Sequence, residues 1–205
     1  MEENIELKAL KIGLIGIGPV GKSAICYSFA DIELSNLISV NGLGKFEKKI
    51  KLKNNKDIKI ILWDTSGQER YISIAFSSIK SAHGVIIVFD VTSKRSFDNI
   101  GNLLNEVKDN CVDPFIILFG NKADLPKEKW EVTSEEINEF AKANGLSCFE
   151  TSAKTKMGIM EGISYCANEI YDKINYRYKK NIIIDEKDTK KQKSKSDCVK
   201  GKHKK

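Results

Sequence analysis

The segment Gly16-Ile17-Gly18-Pro19-Val20-Gly21-Lys22-Ser23 constrains this chain more than any other. It follows a short apolar run, Leu10 to Gly16, and leads into residues with helical patterning. A glycine-rich turn between a buried strand and a helix start presents backbone N–H groups to an anion, because first-turn amides have no intrahelical partner. The G-x-x-x-x-G-K-S spacing adds an ammonium, Lys22, able to reach terminal phosphates, and a hydroxyl, Ser23, suited to Mg2+. The chain is therefore expected to be an α/β protein built around a phosphate site, with Gly16, Gly18, Val20, Gly21, Lys22, Ser23 and Ala24 touching a nucleotide.

Further apolar runs of strand length occur over 58–63, 84–89, 114–120 and 146–149, alternating with helical patterns over about 21–30, 68–80, 95–109, 133–143 and 156–178. Most runs are apolar on both faces, as parallel strands covered by helices must be. Residues 45–53 and 57–63, joined by Asn54-Asn55-Lys56, read as a hairpin with an edge strand of alternating charge. The expected architecture is a doubly wound, mostly parallel sheet of about six strands with helices on both faces. Thr133-Ser134-Glu135-Glu136 reads as a capped helix start and Gly145 as its stop. One such domain, expected over 8–178, suits a chain of 205 residues.

The net charge of +6 arises from 34 basic and 28 acidic side chains. Eleven lysines and four acids fall within 179–205, which leaves 23 basic and 24 acidic side chains in the rest. A near-neutral body thus carries a basic tail, polar and aperiodic, that is expected to be disordered. Lysines attract an anionic membrane surface weakly and in a salt-dependent way. The tail has no aromatic residue to stack on bases, so nucleic acid is not an expected partner. No apolar stretch is long enough to span a membrane, and Met1-Glu2-Glu3-Asn4 lacks the basic-then-apolar pattern of a secretory signal. Five scattered cysteines (Cys26, Cys111, Cys148, Cys166, Cys198) form no C-x-x-C pair and are expected to be free thiols in a reducing compartment. The two histidines, His83 and His203, support neither a zinc site nor a hydrolase dyad; His83 is expected to be a packed side chain.

Three more segments choose among nucleotides. Trp63-Asp64-Thr65-Ser66-Gly67-Gln68-Glu69-Arg70 resembles the second metal-coordinating segment of Ras-like small GTPases, in a form closest to the Rab branch. Asn121-Lys122-Ala123-Asp124 resembles their guanine-specificity motif, and Glu150-Thr151-Ser152-Ala153-Lys154 their second base-contacting loop. Ala82-His83-Gly84 and Asp90-Val91-Thr92 are similar to Rab segments too, and the likeness covers residues 10 to about 174. The resemblance implies the P-loop small-GTPase fold and a molecular switch that binds GTP or GDP with Mg2+, hydrolyses GTP slowly and regulates vesicle traffic. It implies Ser23 and Asp64 for the metal, the Gly67 amide for the γ-phosphate, and Gln68 to orient the attacking water. For the base it implies Asn121, Lys122, Asp124, Ser152, Ala153 and Lys154. A carboxylate such as Asp124 accepts from guanine N1–H and the exocyclic amine, and adenine offers no such donor pair. Implied partners are a guanine nucleotide exchange factor, a GTPase-activating protein and effectors. These would act on a monomeric, cytoplasmic protein lying peripherally on an endomembrane. Trp63, Phe46 and Ile79 match positions that Rab effectors contact, with core packing as the alternative.

Several positions depart from the family. Asn41 stands where relatives carry a Mg2+-ligating threonine, and its amide carbonyl can ligate Mg2+ instead; Ser39, the only nearby hydroxyl, would require a slipped loop. Leu34 and Ile38 replace aromatic residues near the guanine and the phosphates, and Pro19 lacks the N–H that relatives aim at the oxygen bridging the β- and γ-phosphates. These departures keep a second function open: a guanine-nucleotide-binding module with little or no hydrolysis, acting as a protein-interaction adaptor. Cys198 is followed by seven residues, which is neither a C-a-a-X box nor a terminal cysteine pair, so prenylation is not expected.

Overall fold

Strand β1 (Ala9–Ile15) lies inside a six-stranded sheet ordered β2-β3-β1-β4-β5-β6. The computed structural model describes residues 7–32, 44–65, 76–77 and 79–200, with side chains to 178 and at 180. β3 (Asp57–Asp64) and β4 (Gly84–Asp90) flank β1 in parallel, and β5 (Phe115–Asn121) and β6 (Ser147–Glu150) continue the parallel half. β2 (Gly44–Lys51) alone runs antiparallel, on the edge beside β3. All seven residues of β4 are buried, as a strand covered on both faces requires. On β2 the outward Lys45, Glu47, Lys49 and Lys51 are exposed while Ile50 is buried, and Asn55 turns the hairpin at φ 63°. The expected doubly wound, mostly parallel fold is the observed one.

Parallel strands end together, and this positions the site. The register pairs Leu14 with Asp64, Ile15 with Ile87, Asp90 with Asn121 and Gly120 with Glu150, so the loops after β1, β3, β5 and β6 leave from one end of the sheet. The described helices are α1 (Lys22–Phe29), α2 (Lys94–Asp98), α3 (Ile100–Asn110), α4 (Ser134–Ala143) and α5 (Ile159–Lys200). The helix expected over 95–109 divides at Asn99, whose side chain donates to the Arg95 carbonyl. α4 opens with a full capping box, Thr133 accepting from the Glu136 amide and Glu136 from the Thr133 amide, and Gly145 follows at φ 63°.

Two expectations change. Ile79 is fully buried, because Gly13 lacks the Cβ that would collide with the Ile79 side chain; it belongs to the core and not to a partner surface. Phe46, half-buried, packs its ring 5.3 Å from that of Tyr27. The tail expected to be disordered over 179–205 is helical as far as Lys200, within α5. No proline or glycine interrupts 163–200, so no residue there removes a backbone donor or favours a break, and Gly201 comes directly after. The chain divides into two units, Leu7–Ile170 with the sheet and its loops, and a second that holds Tyr171 onward. Cys26, Cys111, Cys148 and Cys166 are free thiols, as expected. Among the described residues no helix is long and apolar enough to cross a membrane.

His83 extends the β1–β4 pairing through its side chain. Its amide donates to the Lys11 carbonyl at 2.9 Å, and its Nδ1 accepts from the Lys11 amide at 3.0 Å. Burial first, then the Lys11 ammonium, hold the imidazole below its ordinary value of 6.5. A neutral form favoured by folding means that the unfolded chain binds more protons, so stability falls as pH drops below 6.5. Denaturation midpoints from about pH 7.5 to about pH 5.5 should fall more steeply for the wild type than for H83Q, which keeps an acceptor and cannot charge. Parallel profiles would show that the proton is taken up without cost.

Candidate functional site

The loop from Gly16 to Gly21 owes its path to three glycines. A Cβ on Gly16 would collide with the Val88 carbonyl, and one on Gly21 with the Asn121 side chain; Gly18 and Gly21 have φ of 75° and 93°. Gly21 starts α1 without a side-chain cap, and no acidic residue lies in the first turn. The amides of that turn and the positive end of the helix are thereby left to an anion. Pro19 is exposed on this loop and contributes no N–H.

Lys22 and Asp64 are buried charges on the phosphate side of this end, with Asp90 a third on the base side. Lys22 is 5% exposed and donates from Nζ to the Gly16 carbonyl at 2.7 Å and the Gly18 carbonyl at 3.4 Å. Burial pulls its ammonium down to about 8, against the opposing attraction of Asp64. Asp64, 2% exposed at the end of β3, is pushed up by burial and held back by a hydrogen bond from Ser23 and by Lys22. Its Oδ1 is buried without a hydrogen-bond partner. A hard cation bound there would satisfy that orphaned oxygen, so Ser23 and Asp64 are residues that could hold Mg2+. No cluster of three His, Cys, Asp or Glu side chains exists among the described residues. A metal at Ser23 and Asp64 would complete its shell with oxygen donors other than these side chains, in keeping with the preference of Mg2+ for oxygen. Thr65, which donates to the Leu14 carbonyl at 2.6 Å, pins the residue after Asp64 to β1.

The second half of the site is laced by side chains. Asn121 Nδ2 donates to the Val20 carbonyl at 2.8 Å, and its Oδ1 accepts from the Ala153 amide at 3.2 Å. Asp124 Oδ1 accepts from Ser152 Oγ at 2.7 Å, and that hydroxyl in turn accepts from the Thr155 amide. The Ala123 amide donates to the Thr151 carbonyl, and the Thr151 amide to that of Gly120. Lys122 has a left-handed φ of 66°, and its ammonium pairs with Asp90, which Thr92 holds through its amide and hydroxyl. Lys154 is exposed at the rim. The structure thus brings together Gly16, Gly18, Val20, Gly21, Lys22, Ser23, Ala24, Asp64, Asn121, Lys122, Asp124, Ser152, Ala153 and Lys154 at one end of the sheet. Leu34, Ile38, Asn41, Gly67 and Gln68 lie outside the described residues. Asp90 as the counter-ion of Lys122, and Thr65 as an anchor, were not foreseen from sequence; a carboxylate at the end of a buried strand was the only signal for the first.

Such a site can take phosphates on the amides of α1, a divalent cation between them and Asp64, and a base against Asp124. The Ras family profile matches residues 11–172. The Dictyostelium discoideum "Ras-related protein Rab-4" is 38% identical over 171 residues, 82% of either chain. The Lotus japonicus "Ras-related protein Rab11A" is 36% identical over 178 residues, covering 86% of this chain and 76% of its own. The Zea mays "GTP-binding protein YPTM2" is 39% identical over 166 residues, 80% of this chain and 81% of its own.

Truncating Asn121 leaves the Val20 carbonyl and the Ala153 amide without partners in places that are 1% and 9% exposed by residue. N121A should lose about 2 kcal/mol or more of unfolding free energy in urea, measured without added nucleotide. A loss below about 0.5 kcal/mol would mean that water replaces the amide.

Proposed function

The chain belongs to the Ras family, and from that premise we propose that it is a Rab-type guanine-nucleotide switch in vesicle traffic, binding GTP or GDP with Mg2+ and hydrolysing GTP slowly. The observation that carries this reading is the lacing of the base loops. Ser152 orients the Asp124 carboxylate while Asn121 ties that end of the site to the phosphate loop, so base and phosphates are held at a set spacing. Asp124 accepts from N1–H and the exocyclic amine of guanine; an adenine would leave that carboxylate unpaired. Lys22 meets the terminal phosphates, whose charge offsets the burial that lowers its ammonium. Mg2+, when bound, would neutralise charge that develops on the phosphates. Ser23 and Asp64 would hold that ion, Gly67 would meet the γ-phosphate and Gln68 would orient the water. Asn41 is the further metal ligand in this reading.

The partners of such a switch are an exchange factor, an activating protein and effectors that read the bound nucleotide. The protein acts as a monomer on the cytosolic side of an endomembrane. Its eleven lysines in 179–205 add a weak, salt-sensitive attraction to anionic lipid. A second reading is favoured by Pro19: without an N–H at the head of the phosphate loop, one donor to the developing charge is missing, and the chain binds nucleotide as an adaptor with little hydrolysis.

Affinities for GDP, GTP and ATP, followed by single-turnover hydrolysis, test both readings. GDP and GTP should bind at least about 100-fold more tightly than ATP, and D124N should abolish that preference while accepting xanthine nucleotides. ATP binding as tight as GTP would sink the proposal. P19A, which restores the amide, should raise the hydrolysis rate on the order of 100-fold if the missing donor limits it. An unchanged rate would show that proline costs the wild type nothing.

A further inference from the structure

Asp31 lies two residues beyond α1 and carries ion pairs to two distant segments. Its Oδ2 accepts from Lys48 Nζ of β2 at 2.6 Å, and its Oδ1 accepts from Lys156 Nζ at 2.9 Å. Lys156 follows the base loop, two residues past Lys154. Both Asp31 and Lys156 have left-handed backbones, at φ 58° and 66°, which non-glycine residues adopt rarely and at a cost. The two ammonium groups, Lys48 first, hold the Asp31 carboxyl at about 2, so it stays ionised at any working pH.

Closing the end of α1 does not account for Lys156. Lys48 neutralises Asp31 and also donates to the Phe29 carbonyl at 3.1 Å, and the Asp31 and Ile32 amides donate to the Ser28 and Tyr27 carbonyls, so the helix end is satisfied without Lys156. What Lys156 adds is a link across 125 residues, from the end of α1 to the loop that carries Ser152, Ala153 and Lys154. The backbone bond from the Ser152 amide to the Met157 carbonyl makes Lys156 part of the same tight turn as the base-contacting residues. An opening of that turn away from the end of α1 by more than the Lys156 side chain can follow separates Lys156 from Asp31.

We propose that the Asp31–Lys156 ion pair is a latch on the base side of the nucleotide site, made when the base loop is seated and lost when it opens to release guanine nucleotide. This rests on the guanine-nucleotide reading above. Asp31 and Lys156 are positioning residues that touch neither phosphate nor metal. Both side chains are 58% exposed, so the latch is weak and screened by salt.

Release of a fluorescent GDP from the full chain, in Mg2+ buffer with excess unlabelled GDP, tests the latch at low and at high NaCl. At low salt K156M should release the nucleotide about two- to fivefold faster than wild type, as the loss of an exposed ion pair allows. K156R should restore the wild-type rate, and K48M, which leaves the Asp31–Lys156 pair intact, should release at the wild-type rate. At about 0.5 M NaCl the wild type should approach K156M. Equal rates for K156M and wild type at low salt, an equal acceleration by K48M, or a K156M effect undiminished by salt would each overturn the latch. Failure of the wild type to bind GDP at all would overturn the guanine-nucleotide reading, and the latch with it.

Discussion

A single buried amide joins the two ends of the site. Asn121 closes β5, is 2% exposed, and offers one donor to the phosphate loop and one acceptor to the base loop. An amide does this where a carboxylate or an ammonium would not, because it carries both polarities in one rigid plane. It also sets the requirement for Gly21: any side chain there would occupy the space of the Asn121 amide nitrogen. The spacing between the amides at the head of α1 and the carboxylate of Asp124 therefore depends on hydrogen bonds in a nearly dry place, where leaving one unmade costs more than making it gains.

Around this frame the charges are arranged in pairs whose needs are incomplete without a ligand. Burial opposes the ionised forms of both Lys22 and Asp64, yet each favours the charge of the other. Lys22 spends its protons on loop carbonyls, and Asp64 keeps one oxygen unpartnered. An anionic phosphate and a divalent cation would resolve these two demands together, which ties the chemistry of the site to the order of its strands. At the base end the charges are exposed or paired with protein partners, Lys122 with Asp90 and Lys156 with Asp31. That end is held by geometry more than by charge.

Much of this was legible in the sequence because it depends on local rules. The phosphate loop announces itself by spacing, the strands by apolar runs and the hairpin by its asparagine turn. The capping box at Thr133 and the left-handed Gly145 are signals within four residues of the features they mark. At Ile79 the deciding partner was remote. Ile79 is a core residue because Gly13, on another element, leaves room for it. The helix expected over 95–109 divides at Asn99, and α5 runs on to Lys200 through residues whose composition suggested no structure.

The sequence by itself determined the class of fold, the glycine-rich loop between β1 and α1, and the residue types proposed to select guanine, since each follows from patterns a few residues long. Tertiary structure decided which polar groups meet. It placed Asp90 against Lys122, Thr65 against Leu14, and Asp31 against a lysine 125 positions away. Such pairings arise from elements that the fold brings side by side, and no local pattern encodes them. The physical reason is that a buried or facing charge is defined by its neighbours across the fold, whereas a helix or a phosphate loop is defined by its own backbone.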